Sequence, residues 1–194
     1  DIPPFNFNLV KNSSFENADV QDNGGNWLVF SGGIEGWNVS SGPGIEIQTG
    51  NVTGNTPSDG DNKVELDSHS NSSIYQDIET HADHKFTLQF DYASRPNVNL
   101  DSTPIEVYWD GELLATIDSD GSETGWETYS FEVTGNKDNA ETRLEFKAAG
   151  TDDSLGGLLD NVRLELLEIS PDFAGQPGND LLAGGEGDDC MSGD

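Results

Sequence analysis

The sequence predicts an all-β protein, an antiparallel jelly-roll-type β-sandwich, and three observations carry that expectation. Short segments alternate apolar and polar residues with period two, and no window of residues 6–169 holds a helical period. Asp110-Gly111, set between Trp109 and Glu112, has the composition of a two-residue type I′ hairpin turn.

The alternation is plainest in Lys63-Val64-Glu65-Leu66-Asp67 and in Lys85-Phe86-Thr87-Leu88-Gln89-Phe90-Asp91-Tyr92. It returns in Pro104-Ile105-Glu106-Val107-Tyr108-Trp109, Tyr129-Ser130-Phe131-Glu132-Val133 and Arg143-Leu144-Glu145-Phe146-Lys147. Turn-rich spacers separate roughly ten to twelve such segments, the count of a two-sheet sandwich. Strands in such a fold run alternately up and down, so alternate loops share an end. Counting from the strand that ends at Asp67 puts 68–72, 95–103, 118–124 and 150–157 at one tip. That tip then gathers Asp67, Asp101, Asp118, Asp120, Asp152 and Asp153 with Asn97, Asn99 and Arg95. The opposite end receives 80–84, the Asp110-Gly111 turn and 135–139. Trp27, Trp37, Trp109 and Trp126 read as core, since Trp109 keeps phase with Ile105 and Val107.

Charge narrows the function. Of 194 residues, 37 are Asp or Glu and 8 are Lys or Arg, a formal net charge of −29. Nothing so acidic releases counterions from a nucleic acid or settles on anionic headgroups, and no apolar run reaches membrane-spanning length. The acid is rich in Asp and accompanied by Asn and Gly, the residue types of oxygen-ligated Ca²⁺ loops. Several bound ions would cancel roughly ten charges; the plainer alternative is a solubilising or halophilic surface. A single cysteine, Cys190, excludes an internal disulfide framework. Residues 1–5 read as a linker without signal-peptide features, and the chain as a segment of a longer protein.

After Ser170-Pro171 the composition changes, and 171–194 reads as a separate region. Gly178 and Gly187, Asp180 and Asp189, and Leu182 and Met191 each lie one nonapeptide apart, matching the calcium-binding G-G-x-G-x-D-x-U-x repeat of a β-roll. Gln176 replaces one glycine of the first unit.

This tail resembles the repeats-in-toxin (RTX) region of bacterial proteins exported by type I secretion. Residues 6–170 resemble the ligand-binding modules preceding that region in RTX adhesins. The likeness is carried by Asn12-Ser13-Ser14-Phe15-Glu16, Gly44-Ile45-Glu46-Ile47, Val64-Glu65-Leu66-Asp67, Tyr92-Ala93-Ser94-Arg95-Pro96, Val107-Tyr108-Trp109-Asp110-Gly111 and Asp153-Ser154-Leu155-Gly156-Gly157-Leu158-Leu159-Asp160-Asn161-Val162. The opening Asn-x-x-Phe-Glu and closing Leu-Asp-Asn-Val are shared with jelly-roll carbohydrate-binding modules. The resemblance implies a calcium-dependent pocket for extended ligands, peptides ending in a free carboxylate on another cell's surface. It also implies a structural Ca²⁺ on Glu16 and Asp160.

The expected ligand site is the tip: Asp67, Asp101, Asp152 and Asp153 around an ion, Arg95 forking a ligand carboxylate, and Tyr92 and Tyr108 beside it. Asp118-x-Asp120 and Asp59-x-Asp61 begin like EF-hand loops, but Tyr129 and Ser70 stand where the closing Glu belongs; Asp118 and Asp120 remain isolated ligand candidates. Asp180 and Asp189 are the metal candidates of the tail. His81-x-x-His84 lacks a third zinc ligand. Glu65-x-Asp67 lacks the second Glu of a retaining glycosidase, so no enzyme is expected. The leading expectation is therefore a non-enzymatic, calcium-dependent recognition module of an extracellular adhesin, monomeric within a long chain. A calcium-dependent lectin and a calcium-rigidified spacer are the alternatives.

Overall fold

The computed structural model describes residues 7–20, 26–82, 84–118 and 125–168. The expected linker at 1–5, the repeat region at 171–194, and with them Asp120, Asp180 and Asp189, lie outside the described residues.

The period-two segments form strands β1 (Trp27–Phe30), β2 (Asn38–Ser41), β3 (Ile45–Thr49), β4 (Asn62–Glu65), β5 (Ser73–Glu79), β6 (Lys85–Ala93), β7 (Ile105–Trp109), β8 (Glu112–Ile117), β9 (Glu127–Thr134), β10 (Glu141–Ala148) and β11 (Leu158–Glu168). Six make one sheet in the order β1-β3-β4-β11-β6-β9, and five the other, β2-β5-β10-β7-β8. Every pairing is antiparallel. Apart from short 3₁₀ turns, no helix occurs among the described residues, and none is long and apolar enough to cross a membrane. The expected jelly-roll-type sandwich is the fold. The hairpin turn is at Asp110-Gly111, where both residues have positive φ, 53° and 81°, as a type I′ turn requires.

The core lies between the sheets. Ile45, Ile47, Val64, Leu88 and Phe90 from the larger sheet face Ile74, Ile105, Val107, Leu144 and Phe146 from the smaller. Phe90 meets Phe146 edge-on across the gap, ring centroids 5.1 Å apart. Trp37 is 1% exposed; it packs on Phe15 at 5.4 Å and donates Nε1 to the Asn12 carbonyl at 3.1 Å. Trp109 is buried as its phase requires, but Trp27 is 48% exposed and belongs to no core.

One feature departs from ordinary alternation. Glu46, Gln48, Lys63, Glu65, Asp91 and Asp160 point to the outer face of the six-stranded sheet, yet all are buried. Segment 50–61 crosses that face and closes over part of this polar layer: Lys63 Nζ donates to the carbonyls of Gly50 (3.0 Å) and Val52 (3.2 Å). Thr53 Oγ1 donates to Gln48 Oε1 at 3.2 Å, and Trp126 Nε1 reaches the Thr56 carbonyl at 2.7 Å. The sandwich thus carries a second buried layer, polar instead of apolar, and the candidate site grows out of it.

Candidate functional site

The loops counted to one tip do meet there. Asp67 bridges to Asn71, Asp67 Oδ2 accepts the N–H groups of Asp153 (3.0 Å) and Ser154 (2.9 Å), and Ser102 Oγ donates to Asp153 Oδ2 at 2.7 Å. Asp152 Oδ1 accepts from the Asn71 N–H at 3.3 Å, and the Thr151 N–H from the third loop reaches the Asp101 carbonyl at 2.8 Å. Segments 68–72, 99–103 and 150–157 are therefore laced together by the same acidic residues that the sequence offers as ligands.

Arg95 does not sit among them. Its Nη1 donates to Glu65 Oε1 at 2.7 Å and to the Ser154 carbonyl at 3.3 Å. The Arg95 side chain is 22% exposed and that of Glu65 is 0%. Glu65 Oε1 also accepts the Gly156 N–H at 2.8 Å, and Oε2 accepts from Gln48 Nε2. Gln48 Nε2 meets Glu46 Oε1 as well, at 2.9 Å. Glu46 and Glu65 are cross-strand partners on β3 and β4, so a buried carboxylate pair is bridged by one amide and locked to one guanidinium.

This group forms the floor and wall of a pocket of about 280 Å³, lined by Trp27, Glu46, Gln48, Ser68, His69 and Arg95, with Val52, Thr53 and Ser154 completing it. Trp27 stands edge-on to His69, ring centroids 6.3 Å apart. Burial pushes the Glu65 carboxyl up to about 7, Glu46 adding to the rise and Arg95 opposing it. Burial raises Glu46 too, opposed by the Gln48 hydrogen bond, with Asp67 contributing to the rise. Lys63 is driven down to about 8 by desolvation.

Several expected site residues take other places. Tyr92 is 2% exposed and donates its hydroxyl to the Thr103 carbonyl at 3.0 Å; it is core, because its side chain lies on the inner face of β6. Tyr108 projects from β7 in the other sheet, where its hydroxyl donates to Glu106 Oε2 at 2.7 Å, so it cannot line a site with Arg95. Asp101, Asp152 and Asp153 are exposed on the loops and do not border the Arg95 pocket. Asp118 is exposed just beyond β8 at the same tip. His81 and His84 lie at the far end, ring centroids 5.2 Å apart.

Glu16 and Asp160 grip a common loop. Glu16 Oε1 accepts the N–H groups of Asp61 (2.9 Å) and Asn62 (2.8 Å), and Asp160 Oδ2 those of Ser58 (2.8 Å) and Asp59 (3.0 Å). Gly60, between them, has φ +68° and leaves no room for a Cβ against the Glu16 carboxylate. Burial lifts Asp160 to about 6 against these donors. Among the described residues, no three His, Cys, Asp or Glu side chains are grouped to hold a metal.

Sequence reasoning missed Glu46, Gln48, Ser68, His69 and Ser154 as pocket residues, and took Trp27 for core. The available signal was phase: Glu46 and Glu65 alternate with Ile45, Ile47, Val64 and Leu66, which puts both on one outer face of adjacent strands.

The architecture is a two-sheet, jelly-roll-type β-sandwich with a polar pocket at one tip. The chain belongs to the family described as "Protein of unknown function (DUF642)", which it matches over residues 8–165. It is 32% identical over 158 residues to a "Multifunctional-autoprocessing repeats-in-toxin" protein of Vibrio vulnificus; the match covers 80% of this chain and spans only 3% of that protein. In structure it is similar to a Stig cyclase, Fisc, from Fischerella sp. TAU, with TM-score 0.59 and 15% identity over 85% of this chain and 100% of that one. It is also similar to TmCBM61, solved in complex with β-1,4-galactotriose, with TM-score 0.50 and 16% identity over 83% of this chain and 99% of that one. At such identities the likeness is one of fold.

Proposed function

We propose that this domain is a calcium-dependent, non-catalytic recognition module of an extracellular RTX-type protein, binding the C-termini of peptides or proteins on other cells in adhesion. The observation that carries the reading is Arg95. Among the described residues its hydrogen bonds leave from Nη1, toward Glu65 and Ser154, while the side chain borders the pocket. A guanidinium so held presents its remaining N–H groups in the fork geometry that matches a carboxylate. Because its anchor Glu65 is buried, little side-chain entropy is left to lose on binding.

Other features support the parts of this reading. The relative is a repeats-in-toxin protein and the tail holds nonapeptide spacing, which favours an exported parent chain and type I secretion. A net charge of −29 favours cation binding. A hydrolytic role is disfavoured because Glu65 has both oxygens engaged and no exposed side-chain surface, leaving Glu46 as the only carboxylate on the pocket among the described residues. A glycan is the second reading, favoured by Trp27, whose half-exposed ring at the rim is a surface on which a sugar could stack.

The test is binding to one array carrying both glycans and peptides with free C-termini, with calcium and with EGTA. Calcium-dependent signal on peptides, lost when their C-termini are amidated, is the expected result. Signal confined to glycans makes the domain a lectin, and silence on both arms removes the recognition function.

A further inference from the structure

We infer that this pocket selects peptides whose free C-terminal residue is itself basic, a lysine or an arginine, with Arg95 taking the carboxylate and Glu46 the side-chain cation. The inference rests on the function proposed above and adds which residue ends the ligand.

It starts from how charge is shared out around the pocket. Arg95 already balances Glu65, at 2.7 Å. Glu46 has no such partner. Among the described residues its one hydrogen bond is to Oε1, from the neutral amide of Gln48 at 2.9 Å, and no ion pair reaches it. Lys63 on β4 turns its Nζ to the Gly50 and Val52 carbonyls instead. Glu46 is nevertheless only 6% exposed. Burial and, more weakly, Asp67 raise its carboxyl, as expected of a carboxylate short of cations. A ligand that brought only a carboxylate would press a further negative charge against this corner of an acidic domain. One that brings a carboxylate and a cation satisfies Arg95 and Glu46 together.

The walls fit such a residue. Arg95 and Glu46 are separated by Glu65 and Gln48, which hydrogen-bond to each other and to one of the two each. The three or four methylenes of an arginine or lysine stem can span that interval from the residue's own carboxylate. Trp27, 48% exposed and on the rim, offers a ring along which the stem can lie with its cation near the π system. Ser68 is 4% exposed and also borders the pocket; its Oγ is buried without a hydrogen-bond partner, as is Oδ1 of the preceding Asp67. Buried polar atoms are satisfied almost everywhere in folded proteins, so this hydroxyl is fitted to a polar group brought by the ligand. The pocket holds about 280 Å³, below the roughly 300–1,000 Å³ of sites for drug-sized molecules, which suits one terminal residue. An Asp or Glu at the C-terminus would set its side chain against Glu46, and an apolar one would leave Glu46 desolvated and unpaired.

The test uses fluorescence anisotropy on the whole chain, in calcium, with labelled peptides of one sequence that end in free lysine, arginine, Nε-acetyl-lysine, aspartate or alanine. Acetylation removes the charge and keeps the stem, so the ratio of lysine to acetyl-lysine affinity isolates the cation contact. Lysine- and arginine-ended peptides are expected to bind tighter than the acetylated one by about tenfold or more, and the aspartate-ended one weakest. Glu46→Gln is expected to bring the lysine preference below about threefold. Asp138→Asn, which removes one exposed acidic charge from the 135–139 loop, is expected to leave it unchanged. Equal binding of lysine and acetyl-lysine, tightest binding of aspartate, or a preference that survives Glu46→Gln overturns the inference. So does a preference lost equally in Asp138→Asn, which would reflect the general acidity of the surface. Urea unfolding checks that Glu46→Gln folds; if it does not, the ratios in the wild-type chain and in Asp138→Asn carry the test. If free C-termini bind whatever residue ends them, the function stands and this selectivity falls; if none binds, both fall.

Discussion

On the proposed function Arg95 would serve two purposes, which one pair of substitutions can separate. It pairs with Glu65, whose side chain is wholly buried, and it offers its remaining donors to the pocket. In Arg95→Ala, Glu65 keeps the Gly156 and Gln48 donors but loses its cation. Breaking a buried pair costs 3–5 kcal/mol by general experience, and with Arg95 partly solvated the lower end applies, about 3 kcal/mol. Arg95→Lys keeps the charge and can still reach Glu65, so its stability loss is expected to be about 1 kcal/mol. What lysine cannot do is hold Glu65 and fork a ligand carboxylate at once. Losing charge-assisted hydrogen bonds worth about 1.5–3 kcal/mol weakens binding of a free C-terminus by roughly 10- to 150-fold. Urea denaturation measures the first quantity. Fluorescence anisotropy with a labelled peptide, free or amidated at its C-terminus, measures the second. The reasoning is refuted if Arg95→Ala costs less than about 1 kcal/mol, or if Arg95→Lys discriminates free from amidated peptide as well as the wild type does.

Two further outcomes follow from the same layer. A Cβ on Gly156 would stand 2.5 Å from the Asp67 nitrogen and 2.8 Å from its Cβ, so Gly156→Ala displaces the Asp67 loop and the N–H that Glu65 accepts; a loss of about 2–3 kcal/mol in thermal or urea unfolding is expected, and an unchanged midpoint would count against the packing described. In the metal-free protein, Glu65 has a folded pKa of about 7 against an ordinary 4.5, so the folded state holds a proton that the unfolded chain has lost. Stability therefore falls as pH rises from 4.5 to 7, by up to about 3 kcal/mol for this group, and urea midpoints in EDTA should fall less steeply over that window in Glu65→Gln; equal slopes would show that Glu65 is not the source.

The sandwich was legible because its core strands obey a simple rule. Ile45, Ile47, Val64, Leu66, Leu88, Phe90, Val107 and Phe146 sit at alternate positions of β-prone segments, and alternation alone dictates which face packs. The same rule carried Trp109 into the core and brought loops 68–72, 95–103 and 150–157 to one tip, since antiparallel strands fix loop ends by parity. It failed where the second face was also covered. A Glu opposite a core Ile looks the same whether it meets water or segment 50–61, so Glu46 and Gln48 drew no site reading and Glu65 entered only as an incomplete catalytic motif. Trp27 failed in the other direction: an aromatic in a four-residue edge strand carries no phase long enough to say which side it takes.

The sequence by itself therefore determined the class of fold, the end at which oxygen donors collect, and the acidic character that favours a cationic partner. These are local or additive properties, set by period, parity and charge count. Only the tertiary structure decided that Arg95 belongs to Glu65, that Tyr92 is core and Tyr108 lies on the other sheet, and that Asp67 and Ser68 keep buried oxygens unpaired. Those outcomes depend on how a crossing segment and three loops close over one sheet face. The pairings are long-range, with Glu65 and Gly156 separated by 91 positions, and no local pattern encodes which of many chemically equivalent carboxylates the chain will bury.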